Sequence, residues 1–412
     1  MIGFQTPQGV RDELFREYEE KQNMLKGISG IFKSFGYREV ATPTIEYYEV
    51  FSSIKSSIIK NEIFKLIDKS GELLALRPDA TIPIARIVAN NYKSSKKNYK
   101  LFYNTQVFKM SNEKKREVTQ TGVEYFGNIN PEADAEVISI AIKTLIENGA
   151  EFHIEIGNAG YYKGLLEEVQ LSDVLESKLK ELVESKNFAE IKKFVESLDI
   201  SEEHREILAK IPDLYGDFTQ TLEEAEEYCL NDNMRNAVED LKEIYDVLSD
   251  YGYEDHISLD LGLINDLDYY TGMVFKGYVK GYGETVLSGG RYDTLTKYYG
   301  QYIPATGFGL NVDDLINAIT VQEAGCDASD KYIDYKINYK KDVRKSAIEL
   351  AESLRSSGYV VELERKDSFE KLGEELGVSK LISLGESESI ELEDMETGKA
   401  ERLSVSEFKE KI

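Results

Sequence analysis

The chain has 412 residues, room for two or three domains, and its 76 acidic against 50 basic residues leave a net charge of −26. That balance argues against a broad nucleic-acid footprint and against docking on an anionic membrane, since both draw their affinity from basic surfaces. Two cysteines, Cys229 and Cys326, are too few for a disulfide framework, and no apolar run reaches transmembrane length. The opening MIGFQTPQGVRDE lacks the apolar core of a secretory signal, so a cytoplasmic protein is expected.

Residues 1–12 read as an extended arm. A helix is predicted over 13–35, where Leu14, Tyr18, Met24, Ile28 and Phe32 recur at helical spacing and Gly36 supplies a stop. Strands are predicted at 37–42, 72–76, 99–108 and 121–127. The clearest helix covers 134–148, with Val137/Ile138, Ala141/Ile142 and Leu145/Ile146 repeating every four residues before Gly149. A strand at 152–156 precedes a charged, strand-free stretch of helices at about 165–252, an insertion. Strands return at 257–261, 273–279 and 284–288, and a helix covers 312–319. This divides the chain into a first domain at 1–320, a linker at 321–331 and a second domain at 332–412. The second domain alternates strand 336–339, helix 342–356, strand 359–363, helix 368–376 and strand 380–384, with a hairpin near 396–398. It is a small α/β unit, and the fold class as a whole is α+β.

His153, His204 and His256 are isolated from one another, and no C-x-x-C occurs, so zinc-site spacing is absent and no metal or cofactor is expected. Phosphate-loop, dinucleotide and nucleophile-elbow patterns are also absent. Four clusters place functional residue types where core strands are expected: 76–81 (LRPDAT), 120–124 (QTGVE), 266–272 (DLDYYTG) and 288–293 (SGGRYD). On a strand Gln120 and Glu124 share one face. A carboxylate, an amide and tyrosine hydroxyls converging there suit a ligand with an ammonium group and an aromatic or imidazole ring. The local pattern equally fits a tyrosine-rich sheet with turn glycines and surface ion pairs. Arg77 has two open readings, contact with a ligand carboxylate or an ion pair with a neighbouring acid.

Together the four clusters resemble the catalytic domain of histidyl-tRNA synthetase, a class II aminoacyl-tRNA synthetase, from about Thr6 to Ile319. More weakly, the last unit resembles that enzyme's anticodon-binding domain. Residues 7–12 look like the family's N-terminal arm, and 36–43 resemble the first class motif, which builds the dimer interface. The resemblance implies an antiparallel sheet flanked by helices, with the helical insertion and the small C-terminal α/β domain appended. It also implies a histidine pocket of Asp79, Thr81, Gln120, Glu124, Tyr269, Tyr270 and Tyr292. Asp79 stands where the synthetase has glutamate. Tyr269 and Tyr270 are adjacent, so strand alternation together with the family match favours Tyr270 as the ligand-facing member.

The departures bear on activity. Class II enzymes hold ATP with arginines, whose fork matches phosphate oxygens. At the second-motif arginine this chain has Lys109, followed by Ser111 at an acidic position. At the third-motif arginine it has Asp314, and at the catalytic arginine Asn265. A carboxylate in place of an arginine reverses an interaction of about 4 kcal/mol per unit pair at 4 Å and an effective dielectric of 20. Pocket retained and ATP apparatus lost is similar to the regulatory-subunit family of ATP phosphoribosyltransferase, which the segments at 76–79 and 116–124 also resemble. That resemblance implies no catalytic residues and a short-form catalytic subunit as partner, which the regulatory subunit activates and subjects to histidine feedback. It implies a homodimer core within a hetero-oligomer, no tRNA and no membrane. The alternatives are a divergent, active histidyl-tRNA synthetase or another synthetase paralogue.

Overall fold

Apolar residues at every second position of the strands and every third or fourth position of the helices give the described residues three separate cores. The computed structural model describes residues 5–54, 62–91, 97–110, 115–263, 269–322, 332–366, 377–385 and 389–410. The chain forms two units, 1–324 and 325–412.

The first unit opens with α1 (Phe15–Ser34), β1 (Arg38–Glu39), β2 (Ile45–Tyr47), α2 (Glu49–Ser52), β3 (Lys65–Ile67), β4 (Leu73–Leu76) and α3 (Thr81–Asn91). Two long strands follow, β5 (Tyr99–Phe108) and β6 (Glu117–Phe126), then α4 (Pro131–Glu147) and β7 (Phe152–Asn158). The insertion contributes α5 (Ala159–Val169), α6 (Asp173–Glu184), α7 (Phe188–Glu196), α8 (Glu202–Lys210), β8 (Tyr215–Gly216), α9 (Phe218–Glu227) and α10 (Asp232–Asp250). The unit closes with β9 (Ile257–Asp260), β10 (Met273–Val279), β11 (Thr285–Arg291), β12 (Ala305–Asn311) and α11 (Val312–Gln322).

Among the described residues these strands form a nine-stranded sheet in the order β1-β5-β6-β12-β11-β10-β7-β9-β8, and β2-β4-β3 make a separate three-stranded sheet. From β5 through β6, β12, β11 and β10 to β7 every pairing is antiparallel. Each face of the large sheet has its own core. Phe32 of α1, Phe102, Phe275, Phe308 and the apolar stripe of α4 fill one. Leu101, Tyr103, Val274, Tyr270, Tyr292 and α3 fill the other, called here the front.

Several sequence expectations change. The insertion contains one short strand, β8, which pairs with β9 through Tyr215↔Asp260 and Gly216↔Leu259. Alternation alone misses β12, because its glycines at 307 and 309 remove the apolar signal from one face. Helix α3 was also unforeseen, as Pro83 falls in its first turn, where a missing N–H is tolerated. Tyr269 and Tyr270 precede β10 rather than lying on a strand.

The second unit contains β13 (Ile333–Tyr339), α12 (Arg344–Ser356), β14 (Val361–Arg365), β15 (Val378–Leu384), β16 (Ser389–Asp394), β17 (Ala400–Ser404) and α13 (Val405–Glu410). Its sheet runs β14-β13-β15-β16-β17, parallel across the first three strands. The helix expected at 368–376 lies outside the described residues.

Candidate functional site

The front face gathers the residues of the expected pocket around Glu124, whose side chain is fully buried. Strand β6 carries it inward because Val123 and Tyr125 alternate to the opposite core. Both carboxylate oxygens are occupied. The Thr81 hydroxyl, at the first turn of α3, donates to Oε1 at 2.6 Å. The Tyr292 hydroxyl, just past β11, donates to Oε2. Burial pushes the Glu124 carboxyl up to about 8, against those two hydroxyls, which favour the charged form; the Asp79 charge adds to the rise.

The floor of this pocket is glycine. A Cβ at Gly307 would run into the Glu124 carboxylate, and one at Gly309 would strike the Gln120 amide. At Gly290 it would come within 2.8 Å of the Tyr270 ring, and at Gly122 within 2.7 Å of the Tyr103 hydroxyl. The space these missing side chains leave is what lets Glu124, Gln120 and the tyrosines reach over the sheet.

The walls are aromatic. The rings of Tyr269 and Tyr270 lie 4.9 Å apart, and Tyr269 meets Tyr292 edge-on at 5.9 Å. Both rings therefore pack beside Tyr292; off the strand, no alternation separates them. Burial raises the hydroxyl pKa of Tyr103, Tyr269, Tyr270 and Tyr292, so all four are neutral donors at physiological pH. Asp79 accepts the Ile82 N–H at 2.8 Å, capping α3. Its pKa is raised by burial, opposed by that N–H and by the charge of Lys109.

Asp79, Thr81, Gln120, Glu124, Tyr269, Tyr270 and Tyr292 thus come together in one place. Two polar atoms here, the Gln120 side-chain oxygen and the Tyr103 hydroxyl, are buried without a hydrogen-bond partner among the described residues. Tyr103 was missed by sequence reasoning. The available signal was its register opposite Gly122, an aromatic facing a residue with no side chain.

Arg77 takes neither of its two expected roles. Its Nε donates to the Gln106 carbonyl at 2.7 Å and its Nη1 to the Thr42 carbonyl at 2.6 Å, so it binds backbone. Arg291 is likewise structural, its Nε 2.8 Å from Asp134 Oδ2 and its Nη1 3.0 Å from the Asn128 carbonyl.

At the start of α11, Asp314 is buried and accepts from Lys115 Nζ, Asn311 Nδ2 and, at 2.7 Å, the Tyr282 hydroxyl. Lys109 is exposed, and Asn265 and Ser111 lie outside the described residues. Among the described residues no cluster of three potential metal ligands occurs, and no helix is long and apolar enough to cross a membrane. His153 Nε2 lies 2.7 Å from the Ser258 hydroxyl, and His256 stacks on Phe152.

A family model described as histidyl-tRNA synthetase matches residues 9–315. A histidyl-tRNA synthetase from Nostoc, 19% identical, superposes over the whole of both chains with a TM-score of 0.82, a likeness of fold. Fold and pocket together define a class II aminoacyl-tRNA synthetase-like protein of the histidyl type. Curated relatives are more specific. An ATP phosphoribosyltransferase regulatory subunit from Acetivibrio thermocellus is 35% identical over 98% of each chain. One from Clostridium botulinum is 34% identical over 98% of this chain and 97% of its own. A crystal structure from Bacillus halodurans, described as an ATP phosphoribosyltransferase regulatory subunit/histidyl-tRNA synthetase, is 33% identical with a TM-score of 0.82, covering 90% of this chain and 94% of that one. The chain belongs to the family of ATP phosphoribosyltransferase regulatory subunits.

Proposed function

We propose that this chain activates a short-form ATP phosphoribosyltransferase catalytic subunit and makes it sensitive to histidine, without catalysing a reaction itself. In this reading histidine occupies the Glu124 pocket, and the chain acts in the cytoplasm as a homodimer core within a hetero-oligomer at the first step of histidine biosynthesis. No tRNA is bound.

One observation carries the reading: a cluster of buried polar side chains with unsatisfied atoms coexists with a self-paired acid where phosphate would need a cation. Glu124, Gln120 and Tyr103 offer acceptors to a cationic, ring-bearing ligand, and two of them have unused capacity. Asp314, by contrast, spends its carboxylate on Lys115, Asn311 and Tyr282. That carboxylate would repel a triphosphate, and the cation beside it is already neutralised. Loss of adenylation follows from that arrangement together with Lys109 and Asn265.

The test is reconstitution with the catalytic subunit. Co-purification and a stimulated phosphoribosyl transfer, inhibited by histidine, are expected. Glu124→Gln keeps the shape and removes the charge. It should weaken histidine inhibition by at least about tenfold, since truncating one member of a buried charged pair costs about 2–5 kcal/mol. The uninhibited rate should survive. Histidine can inhibit only by binding better to a less active state, so unchanged inhibition would move the regulatory site elsewhere. Robust histidine-dependent ATP–pyrophosphate exchange by the purified chain would favour a synthetase instead.

A further inference from the structure

Helix α5 is joined at two levels to the segment that carries Tyr269 and Tyr270. Asn158 caps the helix, its Oδ1 accepting the Gly160 N–H at 2.8 Å. The next residue, Ala159, donates its N–H to the Gly272 carbonyl at 2.9 Å. Lys163 stands one turn further along α5 on the same face. Its Nζ reaches two residues further back on the tyrosine segment and donates to the Tyr270 carbonyl at 2.6 Å.

Residues 269–272 precede β10, so no ladder partner holds Tyr269 or Tyr270. Thr271 is tied to the end of β11, its N–H donating to the Arg291 carbonyl at 2.7 Å, and Gly272 is tied to Ala159. Among the described residues the Lys163 ammonium is the one polar anchor on the backbone of Tyr269 and Tyr270. Both rings depend on that backbone for their places. Tyr270 lies over Gly290, and Tyr269 packs on Tyr270 and Tyr292. A carbonyl outside the ladder needs a donor from elsewhere, and a charged donor makes the stronger bond.

We infer that Lys163 is a positioning residue of the Glu124 site: it holds Tyr269 and Tyr270 in the arrangement that accepts a ligand and ties that arrangement to the helical insertion. The inference rests on the histidine reading of the site. Lys163 touches no ligand; it acts through the backbone of Tyr270. Lysine suits this place because its stem spans from an exposed helix position while its ammonium supplies the donor that the ladder does not. Without that donor the segment takes up further arrangements, and apparent affinity falls with the fraction that remains competent. The same helix is bonded into the insertion, since the Tyr161 hydroxyl donates to the Ala225 carbonyl of α9 at 2.9 Å.

The test is calorimetry on the full chain at fixed pH and salt, with L-histidine as the probe, beside ligand-free melting curves. Lys163→Met should weaken histidine binding about tenfold, the low end for a hydrogen bond from a charged donor because Lys163 is exposed. Lys163→Arg keeps a cationic donor and should bind within about threefold of wild type. Both variants should melt within about 3 °C of wild type, since one bond is small against the whole unit. Lys163→Gln replaces the methionine variant if that one does not fold. Wild-type affinity in Lys163→Met overturns the assignment and leaves the histidine reading intact. Equal losses in the methionine and arginine variants overturn it too, as does a loss that comes with a larger fall in melting temperature, which would make Lys163 a general support of the fold. Wild type binding no histidine overturns the reading of the site and this assignment with it.

Discussion

Glu124 sits under opposing demands. Two hydroxyls stabilise its charged form, yet full burial raises its pKa to about 8. An unfolded glutamate titrates near 4.3. Between those values the native state holds a proton that the unfolded chain has released. Stability from this group is therefore fully present below the unfolded pKa and is lost as pH rises toward the folded one. We expect the melting temperature of the ligand-free protein to fall between pH 5 and 8 more steeply than that of Glu124→Gln. Other buried carboxyls, Asp134 among them, are common to both proteins, so the difference between the two melting series isolates Glu124. Parallel curves would mean that Glu124 stays ionised throughout. A cationic ligand should restore the lost stability, because it offers the carboxylate a partner at the cost of the proton.

Between elements, the connection best defined by geometry is Lys21 of α1. It is buried, 2.7 Å from Glu13 Oε1 and 2.6 Å from Asp313 Oδ1 at the start of α11. The other Asp313 oxygen accepts the Thr119 N–H of β6 at 2.8 Å. One lysine thus ties the N-terminal arm, a helix, the back of the sheet and a second helix. Asp313 also gains from the N-terminal end of the α11 dipole. Lys21→Met keeps the stem and removes the charge, leaving two carboxylates facing each other. The expected loss is about 3 kcal/mol, at the low end for a broken buried pair because Glu13 and Asp313 keep some solvent contact. Denaturant midpoints measure it. An unchanged midpoint would mean that water already screens the pair.

At the scale of the whole molecule, the small sheet of the first unit bears on association. Ile45 and Tyr47 on β2 and Leu66 on β3 are exposed, and their register with Leu74 and Leu76 of β4 sets all three on one face of the small sheet, whose β2 lies within residues 37–51. Apolar side chains gathered this way mark an interaction surface. We propose that this surface pairs two copies of the chain. Obligate interfaces of this kind bury more than about 2,000 Å². Sedimentation at micromolar concentration should give a dimer without the catalytic subunit, and the double substitution Ile45→Glu, Leu66→Glu should give monomers. A wild-type monomer would assign the patch to another partner.

Much of this architecture was legible in the sequence, because periodicity and turn residues act locally. The α4 stripe, β5, β7 and β10 each report their burial through the spacing of their own apolar residues. Gln120 and Glu124 share a face for the same local reason, the two-residue repeat of a strand. What failed locally was decided by neighbours. Strand β12 is invisible to alternation because its glycines are shaped by Glu124 and Gln120 on the adjacent strand. Arg77 reads as a ligand or ion-pair residue until the carbonyls of Thr42 and Gln106 arrive from distant elements. Tyr269 and Tyr270 pack ring against ring because the chain leaves the strand geometry that would have separated them. Charge pairing was decided the same way: the sequence places an acid at 314, and only the packing of the β10–β11 hairpin and Lys115 around it supplies its partners.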